Sequence, residues 1–327
     1  MFGYIVRRLL YTVPIVFGVL LITFILFKVV PGDPSYAIAG KNASAERIAE
    51  IQKELGFDKP KFLNFKSASQ LGWHHLFDSQ FFYAHLYKTV TFQFGRTIQT
   101  KERVSGIILR GAGPSLCLTV PMFAGILLTS LSLSLFVAFL RATMWDKFIV
   151  VLCVLGMSIP SLAFIMFGQW YLAGKLEWFP VHGYESGLAG IQYLVLPVLI
   201  GVVAGLGSNV RFYRTVMLDE INCDYIRTAY AKGVSTPRVL FVHVLKNAMI
   251  PVLTNVVLAI PFLFLGSLLL ERFFGIPGLG YLMIDAINSR EYPVISAMTY
   301  IIALLFVMGN LATDISYSLV DPRISLS

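Results

Sequence analysis

Six stretches of this chain, residues 9–30, 114–140, 148–173, 193–210, 250–270 and 294–316, are apolar over the length needed to cross a membrane; the hydrocarbon layer is ~30 Å thick. Inside a bilayer no water is available to the backbone, so a spanning segment must satisfy its own N–H and C=O groups, and a helix does so. Charged residues make up only 13% of the chain, against about 25% in an ordinary soluble domain. The expected fold class is therefore all-α: a polytopic helical membrane protein with six transmembrane helices. The expected organisation is an N-terminal span (1–30), an extracytoplasmic loop region (31–113) and a five-helix core (114–327) with a cytoplasmic segment at 211–249.

The first apolar run has two readings. Arg7, Arg8 and the small residues Ala37 and Ala39 resemble the flanks of a cleaved signal peptide. The run is longer than a usual signal core, and Pro31-Gly32-Asp33-Pro34 supplies a turn before any cleavage point. A retained span is the expectation.

Lys and Arg then set the orientation. With the N-terminus inside, the short cytoplasmic segments hold eleven basic residues, Arg141, Lys147, Arg211 and Arg214 among them, while the short outer loops hold three, Lys175, Arg272 and Arg290. Both termini are expected in the cytoplasm, and the net charge of +8 reports topology rather than nucleic-acid binding. Cys117, Cys153 and Cys223 fall in spans or on the inner side, away from an oxidising compartment.

The outer region opens with a helix expected over 45–55, capped by Ser44 and ended by Gly56. The stretch that follows, 57–93, is dense in aromatic residues, among them Phe62, Trp73, Phe81 and Tyr87. Such residues favour the membrane interface, and interfacial anchoring with a small local core is the plainer reading beside a ligand-reading surface. His74, His75 and His85 lie here without a fourth ligand at metal-site spacing, so no metal and no cofactor is expected.

Within the spans, Ser158, Ser161, Thr254 and Asn255 are candidates for lining a pathway, since intramembrane polar groups usually face a bundle interior or cavity. The alternative for each is a helix–helix hydrogen bond, or a kink at Pro160 relieved by a neighbouring hydroxyl. Asp314 has the same two readings, exit lining or local hydrogen bonding.

The longest cytoplasmic stretch carries a design. Ile221, Tyr225, Ile226, Ala229 and Tyr230 form an apolar stripe at helical spacing, with Asp224, Arg227 and Lys232 on other faces. Gly233 is suited to the left-handed turn that ends a helix. Ser235 or Thr236 with Pro237 then starts another. Two short helices meeting at a corner, with an apolar edge among charges, argue against a passive linker.

This segment resembles the cytoplasmic signature of ABC importer permeases, E-A-A-x3-G-x9-I-x-L-P. Aligned on Gly233, Arg227-Thr228-Ala229 stands at E-A-A and His243-x-Leu245-Lys246 at I-x-L-P, which is similar to the peptide- and nickel-importer version rather than the general one. The start (Tyr4-Ile5-Val6-Arg7-Arg8, then Val30-Pro31-Gly32-Asp33-Pro34) resembles the first of the two permease types. So do Phe274-Gly275-Ile276-Pro277-Gly278-Leu279-Gly280 and Asn310-x3-Asp314-x2-Tyr317-x3-Asp321-Pro322-Arg323. The resemblance implies the type I ABC importer permease fold and a heterodimer with a second permease subunit. It also implies two ATPase subunits and an extracytoplasmic substrate-binding protein, all in the bacterial inner (cytoplasmic) membrane.

By the same resemblance, Asp224, Tyr225, Arg227, Thr228, Ala229, Lys232 and Gly233 engage an ATPase, and Leu245 and Lys246 brace the returning helix. Gly275, Pro277, Gly278 and Gly280 lie where a binding protein docks, although a tight structural turn is an equal reading. No G-x4-G-K-[ST] loop occurs in the sequence, so the chain is expected to be a transport subunit and not an enzyme. An intramembrane hydrolase would need a zinc or Ser/His constellation, and a self-sufficient secondary transporter its own coupling site and inverted repeats; the sequence displays neither. Peptide is the expected cargo, with nickel, glutathione or another small solute as alternatives. Gly233→Pro or Ala229→Asp is expected to abolish transport and leave insertion intact.

Overall fold

The computed structural model describes residues 2–30, 32–33, 35–39 and 43–320. Pro31, Pro34, the Gly40-Lys41-Asn42 stretch, the side chain of Asp314 and the Asp321-Pro322-Arg323 motif lie outside the described residues. Among the described residues the chain is helical without a strand, and a lone antiparallel bridge pairs Arg96 with Arg103. Among the described residues, five helices are long and apolar enough to cross a membrane: Leu10–Val29, Val104–Phe139, Leu188–Ile221, Thr236–Phe264 and Tyr292–Thr313. A sixth passes the same test only as a bent pair, Met144–Ser158 with Ser161–Lys175.

Several expected spans differ in detail. The third, expected as one run over 148–173, turns by 91° between its halves. Ile159 and Pro160 are both extended, at ψ 125° and 141°, because the pyrrolidine ring pushes the residue before it out of helical geometry. The fifth, expected to reach 270, stops at Leu265; Gly266 turns to φ 76°, and Leu268–Phe274 forms a separate short helix. The second begins ten residues early, at Val104, and runs 36 residues past Pro114 and Pro121. Between them Thr119 turns its hydroxyl back onto the helix, donating to Ser115 O at 2.8 Å.

The residues form two compact units: 1–110 with 283–308, and 111–282 with the chain from 309 onward. In the first, the helix Ala45–Leu55 has the expected caps. Ser44 Oγ accepts from Arg47 N at 3.3 Å, and Gly56 takes the left-handed conformation. Part of the aromatic stretch does build a local core. Phe81, 1% exposed, meets Phe17, Phe24 and Phe62 ring to ring at 5.2–6.1 Å. His85 is buried beside it, its Nε2 3.2 Å from Thr23 Oγ1 and 3.1 Å from Leu20 O. Burial first, and the Lys28 ammonium second, push its pKa down to about 4, so the ring is neutral at pH 7. Trp73, Phe65 and Phe77 instead face outward, as interfacial anchors do.

In the second unit, the helix Ile191–Ile221 extends well beyond the expected end at 210. Arg214 on it grips the buried Asp146, with Nε and Nη2 each 3.0 Å from a carboxylate oxygen. One of the residues counted as a topology signal is thus also a helix–helix clamp.

Candidate functional site: the helical corner at 224–249 and the carboxylate knot at Glu271

The corner is built as a lever on an anchor. The helix Asp224–Ala231 starts from Cys223, extended at ψ 149°, and carries an i,i+3 pair between Asp224 and Arg227 on its exposed side. It ends at Gly233, where φ is 76° and the amide donates to Tyr230 O at 2.9 Å. Ser235, again extended, and Pro237 open the next turn, Thr236–Arg238, without a side-chain cap. A π-helical stretch, Val239–Val244, leads into Leu245–Leu265.

The apolar stripe divides in two. Ile226 and Ala229 are buried with Leu135, Ala138, Met217, Val239, Leu240 and Val244, and Leu245 packs against that cluster. The expected apolar edge is therefore not presented to a partner; its centre docks the corner onto the unit's own helices. Tyr225 and Tyr230, 39% and 42% exposed, remain at the surface with Arg227, Thr228, Lys232, Gly233 and Lys246. The Tyr225 hydroxyl donates to the Glu220 carboxylate, and lost hydration together with that bond pushes its pKa up to about 12. The accessible face is polar, cationic at Arg227 and Lys232, and rigidly backed.

A second constellation surrounds Glu271, just before the glycine-rich segment 275–280. Its side chain is fully buried. Ser115 Oγ donates to Oε1 at 2.7 Å, Ser267 N to Oε1 at 3.2 Å and Tyr281 N to Oε2 at 2.9 Å. Ser115 Oγ in turn accepts from Leu279 N at 2.7 Å. Burial outweighs these donors and holds the Glu271 pKa above the ordinary carboxylate range. The glycines of 275–280 exist largely to let backbone reach this carboxylate. A Cβ on Gly278 would lie 2.4 Å from both Glu271 Oε2 and Ser115 Oγ, and one on Gly280 2.8 Å from Leu268 N. Gly278 and Gly280 are buried, whereas Gly275 and Pro277 are exposed. Of the four residues expected at a docking patch, two are structural.

With this geometry in place, similarity to known proteins becomes informative. The description "Binding-protein-dependent transport system inner membrane component" matches residues 130–326, and its N-terminal companion matches residues 1–119. The chain belongs to this family. It is 33% identical over 325 residues, 98% of each chain, to a putative peptide transport system permease protein of Brucella abortus (strain 2308). It is also 33% identical over 324 residues, 99% of each chain, to the glutathione transport system permease proteins GsiC of Shigella flexneri serotype 5b and Salmonella typhimurium. The chain is thus a membrane permease of an ABC-type transport system, and its fold is that of a helical membrane permease.

The remaining candidates separate by partner. Asn255 Nδ2 donates to the hydroxyl of buried Tyr213 at 3.0 Å, a bond between two helices. Thr254 and Ser158 each return a hydroxyl to a carbonyl four residues back, at 3.1 and 2.9 Å. Ser161 opens the second half of the bent pair and is exposed. Ser158 is exposed like Ser161, and Thr254 and Asn255 are half-buried. Among the described residues no cluster of His, Cys, Asp or Glu is arranged to hold a metal. Sequence reasoning missed Glu271 and Ser115, although an acidic residue inside Leu268–Phe274 was a visible signal.

Proposed function

We propose that this permease imports peptides across the inner membrane, with both termini cytoplasmic, as one half of a heterodimer with a second permease. Two separate ATPase subunits drive it, and an extracytoplasmic binding protein delivers the cargo. The helix Asp224–Ala231 is the lever that an ATPase moves. The observation carrying this reading is the division of that helix: Ile226 and Ala229 lock it to the bundle, while Tyr225, Arg227, Thr228 and Lys232 stay accessible. Such a segment transmits a push instead of yielding to it, and ATP-driven closure then shifts the bundle between inward- and outward-open populations.

Peptide cargo rests on the relatives' names, and glutathione, itself a tripeptide, is the second reading because the GsiC proteins are equally similar. The test is co-purification and uptake with Arg227→Glu/Lys232→Glu. Both side chains are exposed, so insertion should match wild type while bound ATPase and peptide uptake fall together. Full uptake with normal ATPase retention would refute the coupling role. Labelled dipeptides, tripeptides, longer peptides, glutathione and nickel, offered to a deletion strain carrying the chain, identify the cargo.

A further inference from the structure

The span that turns by 91° at Ile159-Pro160 breaks halfway along its apolar run, 148–173. Both halves pack on the helix Ile191–Ile221, within the apolar run 193–210 of that helix. A Cβ on Gly207 would lie 2.6 Å from Cys153 O, and one on Gly168 would lie 2.6 Å from Ile200 Cδ1. The break between these two contacts therefore lies at membrane depth.

Backbone is open there. The first half ends in carbonyls that its own helix cannot serve, and the second starts with the amides of Ser161 and Leu162, to which a helix offers no acceptor. No side chain caps that start among the described residues. The Ser158 hydroxyl donates to Val154 O at 2.9 Å, back along its own half, and does not relieve the break. Residues 157–162 are all exposed. Lipid cannot satisfy such groups, and irregular backbone at this depth is stable only inside protein or along a water-filled cavity.

The surroundings favour water. A Cβ on Gly207 would also stand 2.9 Å from Met157 Cγ, and the residues that follow this pair, Ser158 and Ser208, are both exposed. From Ser208 the same helix face continues through Arg211 and Thr215, exposed as well and spaced by three and four residues. A polar track thus runs from the break toward the corner at 224–249. A helix laid over it would have to bury the Arg211 guanidinium, which is costly without a well-placed partner, whereas water hydrates it.

We infer that the break at 158–161, continued by Ser208, Arg211 and Thr215, lines the water-filled path by which cargo crosses this permease. The inference rests on the chain being part of a transport path and not on the choice of cargo.

The test uses the full chain with its partner subunits, in cells and in inverted membrane vesicles, on a Cys117→Ser/Cys153→Ser/Cys223→Ser background. Ser158→Cys and Ser161→Cys are compared with Phe167→Cys, an exposed position on an unbroken apolar turn. Each is treated with a charged, membrane-impermeant methanethiosulfonate. Only a hydrated thiol ionises readily to the reactive thiolate, so the serine positions should react about a hundredfold faster than Phe167→Cys from at least one face. The adduct should then block uptake. Ser208→Cys gives the same direction if either serine variant fails to insert. Rates as slow as that of Phe167→Cys from both faces overturn the inference, because lipid or the second permease then covers the break. Fast reaction with unchanged uptake overturns it too, since that water would lie off the path. Uptake before labelling, measured with each candidate cargo, reports separately on the peptide reading.

Discussion

Replacing Gly278 by alanine should be among the most damaging single-methyl changes available in this chain. The new Cβ would stand 2.4 Å from both Glu271 Oε2 and Ser115 Oγ, well inside any real carbon–oxygen contact. Both groups are buried, so neither can swing into solvent. Moving them breaks the 2.7 Å bond from Ser115 to Glu271 and strands the Leu279 amide that now donates to Ser115. A lost hydrogen bond to a charged group costs about 1.5–3 kcal/mol and a stranded buried amide about 1–3 kcal/mol. Together they predict destabilisation of about 3–5 kcal/mol, the range seen when a buried charge loses its partner.

Gly275→Ala provides the control. That residue needs φ 68°, but the nearest atoms to an added Cβ are 3.8 Å away. Only the left-handed strain applies, roughly 1–2 kcal/mol. Gly280→Ala belongs with Gly278, since the added carbon meets the backbone of Leu268 at 2.8 Å. The assay is unfolding of detergent-solubilised protein by added SDS, compared at one temperature. In a Ser115→Ala background the cost of Gly278→Ala should shrink, because one of the two clashing atoms is gone. A Gly278→Ala protein within about 0.5 kcal/mol of wild type, the scatter of neutral surface changes, would refute this account of the turn.

Other consequences follow the same logic. Arg214→Ala leaves Asp146 buried without its guanidinium and should cost about 3–5 kcal/mol, whereas Arg214→Gln with Asp146→Asn should cost less; the same unfolding assay compares them. His85 is neutral when folded and has a pKa near 4, below the ordinary value of about 6.5. Between those values the unfolded chain binds the extra proton, so stability rises with pH and is lost as pH falls through the window, by up to about 3 kcal/mol. His85→Gln should flatten the difference between melting at pH 7 and at pH 4.5. Gly233→Pro cannot adopt φ 76° and removes the amide that bonds Tyr230. It should abolish uptake, and circular dichroism should show the helical spans retained. Ala229→Asp acts differently from the sequence-based expectation: it places a carboxylate within an apolar cluster, so protease sensitivity at the corner should rise together with the loss of transport.

What the sequence could reveal depended on whether the cause was local. Ser44 and Gly56 end their helix as written because caps are short-range chemistry. Gly233 turns left-handed for the same reason. The apolar runs declared a membrane protein because burial in lipid needs only length and composition. The bend at Ile159-Pro160 was half legible: proline announced a distortion, but a turn of 91° depends on what the second half packs against. The stripe on Asp224–Ala231 could be seen but not its direction, since periodicity gives a face and leaves open whether it meets the chain itself or a partner.

The glycines at 275–280 show the limit most clearly. As a string they read alike, and a turn or a docking loop would each suit them. What separates Gly278 from Gly275 is Ser115, more than 150 residues away in the chain, together with the carboxylate it holds. Glu271 therefore bears on function by fixing the frame of the segment that was expected to meet a binding protein. Gly275 and Pro277, exposed on a turn whose other glycines are pinned to a buried charge, remain the part of that segment a partner can touch. Substitutions at Pro277 test docking with little change in stability, and those at Gly275 add only the left-handed strain. Substitutions at Gly278 or Gly280 test the frame, and a loss of uptake at those positions carries no information about the partner.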